Sequence, residues 1–168
     1  MNDRHLDLGP VDSVRAESFG EPGQRTFRLL AQAGGGTVSL WLEKQQLAML
    51  GAALEDLLER TPRGHDVTAT DSDTSGFVGE LEVRVGSLAV GFDPDGAGFT
   101  LEAADFTSAL GLSSIVLNAQ RDQFTSLEQE ISEIVSQSRP RCPLCGQPLT
   151  ADPHFCPESN GHARVGEA

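Results

Sequence analysis

The chain has 168 residues, of which 38% are hydrophobic and 5% aromatic, with no tyrosine; that length suits one domain and a small appendage. Its 25 acidic and 12 basic residues leave a net charge of −13, and such a surface repels phosphate backbones and anionic lipid. No stretch approaches the about 18 apolar residues of a membrane span, and the opening residues MNDRHLD lack the basic and apolar segments of a secretion signal. The expectation is a cytoplasmic protein that binds neither membrane nor, in general, nucleic acid.

Residues 1–9 read as a frayed terminus. A strand is expected near Ser13–Phe19, then a turn at Gly20-Glu21-Pro22-Gly23, where Pro fixes φ and Gly permits its positive values. A second strand spans Gln24–Gln32, a turn follows at Gly34-Gly35-Gly36, and Val38, Leu40 and Leu42 alternate as in a half-buried third strand. Leu47, Leu50, Leu54, Leu57 and Leu58 then form one stripe of a helix. Thr61–Gly79, rich in Gly, Ser, Asp and Thr, reads as a mobile linker.

The same order then returns. A strand near Leu81–Phe92 precedes a turn at Asp93-Pro94-Asp95-Gly96, and Ala97–Asp105 matches the earlier second strand. Ile115, Leu117 and Ala119 alternate like Val38, Leu40 and Leu42, and Phe124, Leu127, Ile131, Ile134 and Val135 repeat the first helix stripe, each 77 positions later. Lys44 maps onto Arg121. The expected body, residues 10–138, is therefore an α+β domain of two similar βββα units, about 10–60 and 80–138. Its sheet is expected to be largely antiparallel, with the helices on one face.

The charge is spent on this body; residues 139–168 are neutral overall and hold all three cysteines. Cys142-Pro143-Leu144-Cys145-Gly146 places two thiolates on one tight turn, the spacing with which a single tetrahedral ion is gripped. Cys156 supplies a third sulfur, and His154 or His162 closes a Cys₃His set that suits one structural Zn²⁺. His154 is preferred because one short turn can present it together with Cys156; His162 is the alternative fourth ligand. A segment this poor in apolar residues needs a metal to hold its shape, so residues 139–168 read as a zinc-ribbon-like module. A redox C-x-x-C opens a helix after a strand, whereas this one follows a helix and Arg139-Pro140-Arg141. Three cysteines would leave one outside any disulfide, and four protein ligands leave a zinc no open position for catalysis.

Gly20-Glu21-Pro22-Gly23-x-Arg25-Thr26-Phe27, Leu42-Glu43-Lys44-Gln45-Gln46, Val85-Gly86-Ser87-Leu88 and the tail Cys142-Pro143-x-Cys145-Gly146-x-Pro148-Leu149…His154-x-Cys156-Pro157-x-x-Asn160-Gly161 resemble a conserved actinobacterial family of unknown function. The resemblance covers nearly the whole chain, and its tail motif is the specific part. It implies that His154 and Cys156 form the steadier pair, the position of His162 often being Tyr. It also implies an Arg two residues after the last Cys, where this chain has Glu158. Members are typically encoded beside a histidine-phosphatase-like and a lipid-kinase-like protein, which implies a shared pathway and assigns no activity.

No nucleophile elbow, phosphate loop, dinucleotide fingerprint or HExxH motif is present. Glu43, Lys44, Gln45 and Gln46 read as an ordinary polar helix start, Gly20–Arg25 as a plain turn, and His5 and His65 as solvated. The expected function is a non-enzymatic adaptor with a protein partner, the zinc module serving as a rigid clip, and with Trp41 read as a core residue before an interface anchor. Two alternatives stand beside it. One is an enzyme acting on a phosphorylated small molecule between the two halves, where Arg25, Arg28 or Lys44 would converge. The other is a zinc-ribbon nucleic-acid binder using Arg139, Arg141 and Arg164, with Phe155 for stacking.

Overall fold

A computed structural model describes residues 4–64, 77–94, 98–104, 111–137, 142–147, 149 and 156–160. The body runs β1 (Arg4–Pro10), β2 (Ser13–Phe19), β3 (Thr26–Ala33), β4 (Gly36–Leu42), α1 (Lys44–Arg60), β5 (Gly79–Arg84), β6 (Ser87–Asp93), β7 (Gly98–Ala104), β8 (Leu112–Ala119) and α2 (Arg121–Gln137). The α+β class follows from the sequence periods. Val38, Leu40, Leu42, Ile115, Leu117 and Ala119 are all buried, as are Leu47, Leu50 and Leu54 on α1 and Phe124, Leu127 and Ile131 on α2. Leu57, Leu58, Ile134 and Val135 lie partly buried against the same core.

The strands form two four-stranded sheets, ordered β1-β8-β7-β6 and β2-β3-β4-β5. Within each, three consecutive strands are antiparallel, and the fourth is parallel to its neighbour: β1 to β8, and β5 to β4. Among the described residues four of the six strand pairings are antiparallel, so the sheets are largely antiparallel, each with one parallel edge strand. The frayed N-terminus expected from the sequence is instead a strand from Arg4. Leu6 packs on the core and Leu8 is buried, while the alternate residues His5 and Asp7 are exposed. This period of two lets the segment lie along the β8 edge with Leu6 beside Ile115. Of the 61–79 linker, residues 65–76 lie outside the described residues; Thr61 caps the end of α1 and Gly79 already belongs to β5.

The stretch expected as one strand near Leu81–Phe92 breaks in two, because the chain changes sheets there. The Val85 amide donates to Trp41 O at 2.9 Å in one sheet and the next amide, Gly86, donates to Ala104 O at 2.8 Å in the other. Between β1 and β2 the same event occurs, with Val11 donating to Asn118 O at 2.9 Å and Asp12 to Gln32 O at 2.7 Å. A helix-start glutamine clamps each crossing. Gln46 Nε2 donates to Val85 O and Gly86 O, and Gln123 Nε2 to Val11 O and Asp12 O, at 3.0–3.2 Å. Their oxygens reach back to the Glu43 and Gln120 amides at the two helix starts. The helices cross over correspondingly: α1 follows β4 yet packs on β6, and α2 follows β8 yet packs on β2. There Glu130 of α2 accepts from the Ala16 amide at 2.8 Å, occupying a donor on an edge strand.

Candidate metal centre

The tail turn is set by its backbone. The Cys142 amide donates to Gln147 O at 2.8 Å and the Gly146 amide to Cys142 O at 2.9 Å. Gly146 has φ +70°, a conformation that any side chain would strain. Pro143 and Leu144 are exposed at the tip, so Cys142 and Cys145 face back together. Cys156 meets them immediately before the short helix α3 (Pro157–Asn160).

The three sulfurs lie within 4.8 Å of one another. Cys142 and Cys156 are buried, Cys145 is half-buried, and none is in a disulfide. The Cys142 and Cys156 sulfurs are 3.7 Å apart. Tetrahedral coordination with Zn–S bonds of about 2.3 Å separates two sulfurs by about 3.8 Å, so the donor set fits such an ion. The Cys145 and Leu144 amides donate to the Cys142 sulfur and, with the neighbouring thiols, lower its pKa to about 6 against the opposing effect of burial. The pKa of Cys145 is raised: the Gln147 amide lowers it, but burial and the Cys142 and Cys156 thiols together outweigh that effect. This turn therefore stabilises one thiolate through its backbone before any ion arrives. Both proposed imidazole ligands, His154 and His162, lie outside the described residues, as do Arg139, Arg141, Phe155 and Arg164.

The remaining candidates fall elsewhere. Glu43 and Gln46 begin α1, Lys44 is exposed, and an exposed Glu43–Arg84 pair at 3.3 Å joins that helix start to β5. His5 is exposed with Nδ1 2.5 Å from Ser114 Oγ, and His65 lies outside the described residues. Trp41 departs from the core role expected of it. On the alternating face of β4 opposite Leu40 and Leu42 it is half-buried, 5.9 Å from Phe19, with the Arg28 guanidinium over both rings and ion-paired to Glu17. Strand alternation turns it away from the core, where the β4 positions are taken by Val38, Leu40 and Leu42.

A cleft of about 1110 Å³ lies where the end of α1 meets the start of α2, lined by Leu58, Thr61, Arg63, Arg121, Thr125 and Ser126 among others. Neither Arg25, Arg28 nor Lys44 lines it. Arg121 does, but its guanidinium donates to Leu58 O, Thr61 O and Pro62 O and rests 5.2 Å from the Phe99 ring. Sequence reasoning missed this cap. Its signal was the single cation at α2's first position, which the repeat paired with the exposed Lys44.

The model of a family described as a protein of unknown function (DUF3090) matches residues 6–156. The chain belongs to that family. Its match runs from Leu6 in β1 to Cys156, so it takes in the body and all three clustered cysteines. No curated protein and no solved structure matches the chain.

Proposed function

We propose that this family member is a zinc-binding, non-enzymatic adaptor whose body docks a protein partner while the metal holds the tail in shape. The observation that supports the metal is the convergence of three thiol sulfurs within 4.8 Å on a backbone-bonded turn and a following helix start. Cys142, Cys145 and Cys156 would supply three ligands and His154 the fourth, with His162 as its alternative. The bound ion supplies the cohesion that the tail's composition lacks. Among the described residues no other group of His, Cys, Asp or Glu gathers in this way. A thiolate centre is stable in a reducing compartment, which supports placement in the cytoplasm; among the described residues no helix is long and apolar enough to cross a membrane.

The adaptor reading is supported by Trp41, Phe19 and Arg28 on the outer sheet face, residue types that anchor interfaces. The matched clamps of Gln46 and Gln123 support reading the body as an internal repeat. An enzyme working in the cleft is the weaker reading, because Arg121, its most enclosed cation, already serves three carbonyls.

Native mass spectrometry with and without chelator tests the metal. Freshly reduced protein is expected to carry one zinc per chain, lost in Cys142→Ser and in His154→Ala but kept in His162→Ala. Metal-free wild type would sink the metal, and loss only in His162→Ala would reassign the ligand. For the adaptor, crosslinking in cells is expected to capture one main protein partner with wild type and lose it with Trp41→Ala.

A further inference from the structure

We infer that the cysteine centre is a peroxide-responsive modification site, in which oxidation joins Cys142 to Cys156, expels the metal and leaves Cys145 as the one reduced thiol. This rests on the metal reading above and adds a regulated state to it.

The three sulfurs differ in access. Cys145 is half-buried and the other two are buried, at 7% and 5% exposure, so a peroxide in solution reaches Cys145 first. As a metal ligand Cys145 would be held deprotonated; its thiolate attacks one peroxide oxygen, the S–O bond forms, the O–O bond breaks and hydroxide leaves. The Cys156 thiolate then attacks the Cys145 sulfur, forming an S–S bond and expelling a second hydroxide. Cys142 lies 3.7 Å from Cys156. Its thiolate attacks the Cys156 sulfur and releases Cys145 as a thiolate. Two thiolates have lost one electron each, the peroxide has become two hydroxides, and the third sulfur has returned to its starting state.

The end product is chosen by where the sulfurs sit. A Cys142–Cys145 bond would lie within the single turn that two backbone hydrogen bonds already close, and would let Cys156 go. A Cys142–Cys156 bond ties that turn to the start of α3, the two segments the metal also tied. What it gives up is the fourth ligand. Because the chain has three cysteines, all in this cluster, no other thiol competes for the disulfide.

The test treats zinc-loaded and chelator-stripped full-length protein with hydrogen peroxide, then alkylates and maps the peptides, with zinc followed by native mass spectrometry. One zinc is expected to leave per disulfide formed, with the Cys142–Cys156 crosslink and alkylation on Cys145 alone; dithiothreitol with zinc should restore the starting mass. Cys145→Ser is expected to form the same crosslink about tenfold more slowly, having lost the accessible thiolate. A final crosslink that includes Cys145, or sulfinic acid on Cys145 with zinc retained, overturns the inference. The stripped sample separates the two readings: if the starting protein holds no zinc the metal reading falls, while the crosslink map still reports on the disulfide.

Discussion

A glutamine side chain offers two N–H groups and one oxygen, and Gln46 and Gln123 each use all of them. The oxygen holds a helix-start amide while the nitrogen bridges two successive carbonyls at the point where a strand changes sheets. Replacing Gln123 by Ala strands two carbonyls and one amide, some of which water can reach, so a loss of about 1–3 kcal/mol is expected. Gln123→Glu keeps the oxygen that caps α2 but points a negative charge at the Val11 and Asp12 carbonyls, and is expected to cost more than Ala. Urea unfolding checks both, with a lowered midpoint and an unchanged slope. The sequence placed Gln46 correctly at a helix start and read it as a good helix former. Its second task was hidden because the carbonyls it serves lie about forty residues away. Trp41 was misjudged for a related reason: alternation says which residues share a face of β4, and only the packed sheet decides which face is inside.

At the scale of elements, the two helix stripes were the most legible feature, since a 3.6-residue period is local. Their crossing was not legible. Gly51 interrupts α1 at a cost of about 1 kcal/mol relative to Ala, and a Cβ there would stand 2.8 Å from Ile131 Cγ2 on α2. Ile131 is buried, and its β-branched χ1 has one preferred setting in a helix. Gly51→Ala is therefore expected to destabilise by about 1–3 kcal/mol through overpacking, despite its better helix propensity. Thermal melting checks the sign: a melt that rises would show that the helices separate at no cost. Pairing with Ile131→Ala should recover part of the loss from Gly51→Ala, because the methyl then has space.

The strands were harder than the helices. The antiparallel triplets were legible as alternation between turns. The parallel edge strands β1 and β5 were not, because each belongs to a sheet built mainly from sequence far from it. Removing residues 1–10 would uncover the β8 edge, along which Leu6 is paired with Ile115, and would take the buried Leu8 out of the core. Such a truncation is expected to fold less stably and to self-associate, which light scattering would show as a larger mean size than that of the full chain.

For the molecule as a whole, the proposed zinc would add a second kind of cohesion to burial. The body is held by one apolar cluster that draws on both sheets and both helices. Cys142 and Cys156, the buried tail residues among those described, are not members of it. The body's apolar core therefore closes without those tail residues, and the proposed zinc would be the tail's own source of cohesion. Removing the metal should separate them. With chelator, hydrogen exchange at the amides of Cys142 and Gly146 is expected to lose its protection, while amides of β3, β4, β7 and β8 keep theirs and the main melt shifts by no more than a few degrees. Gly51→Ala should do the reverse, lowering the main melt and leaving the zinc count at one per chain. A chelated protein whose body amides also exchange would mean that ligation supports the core directly, and the tail would then be a brace of the fold and not a module attached to it.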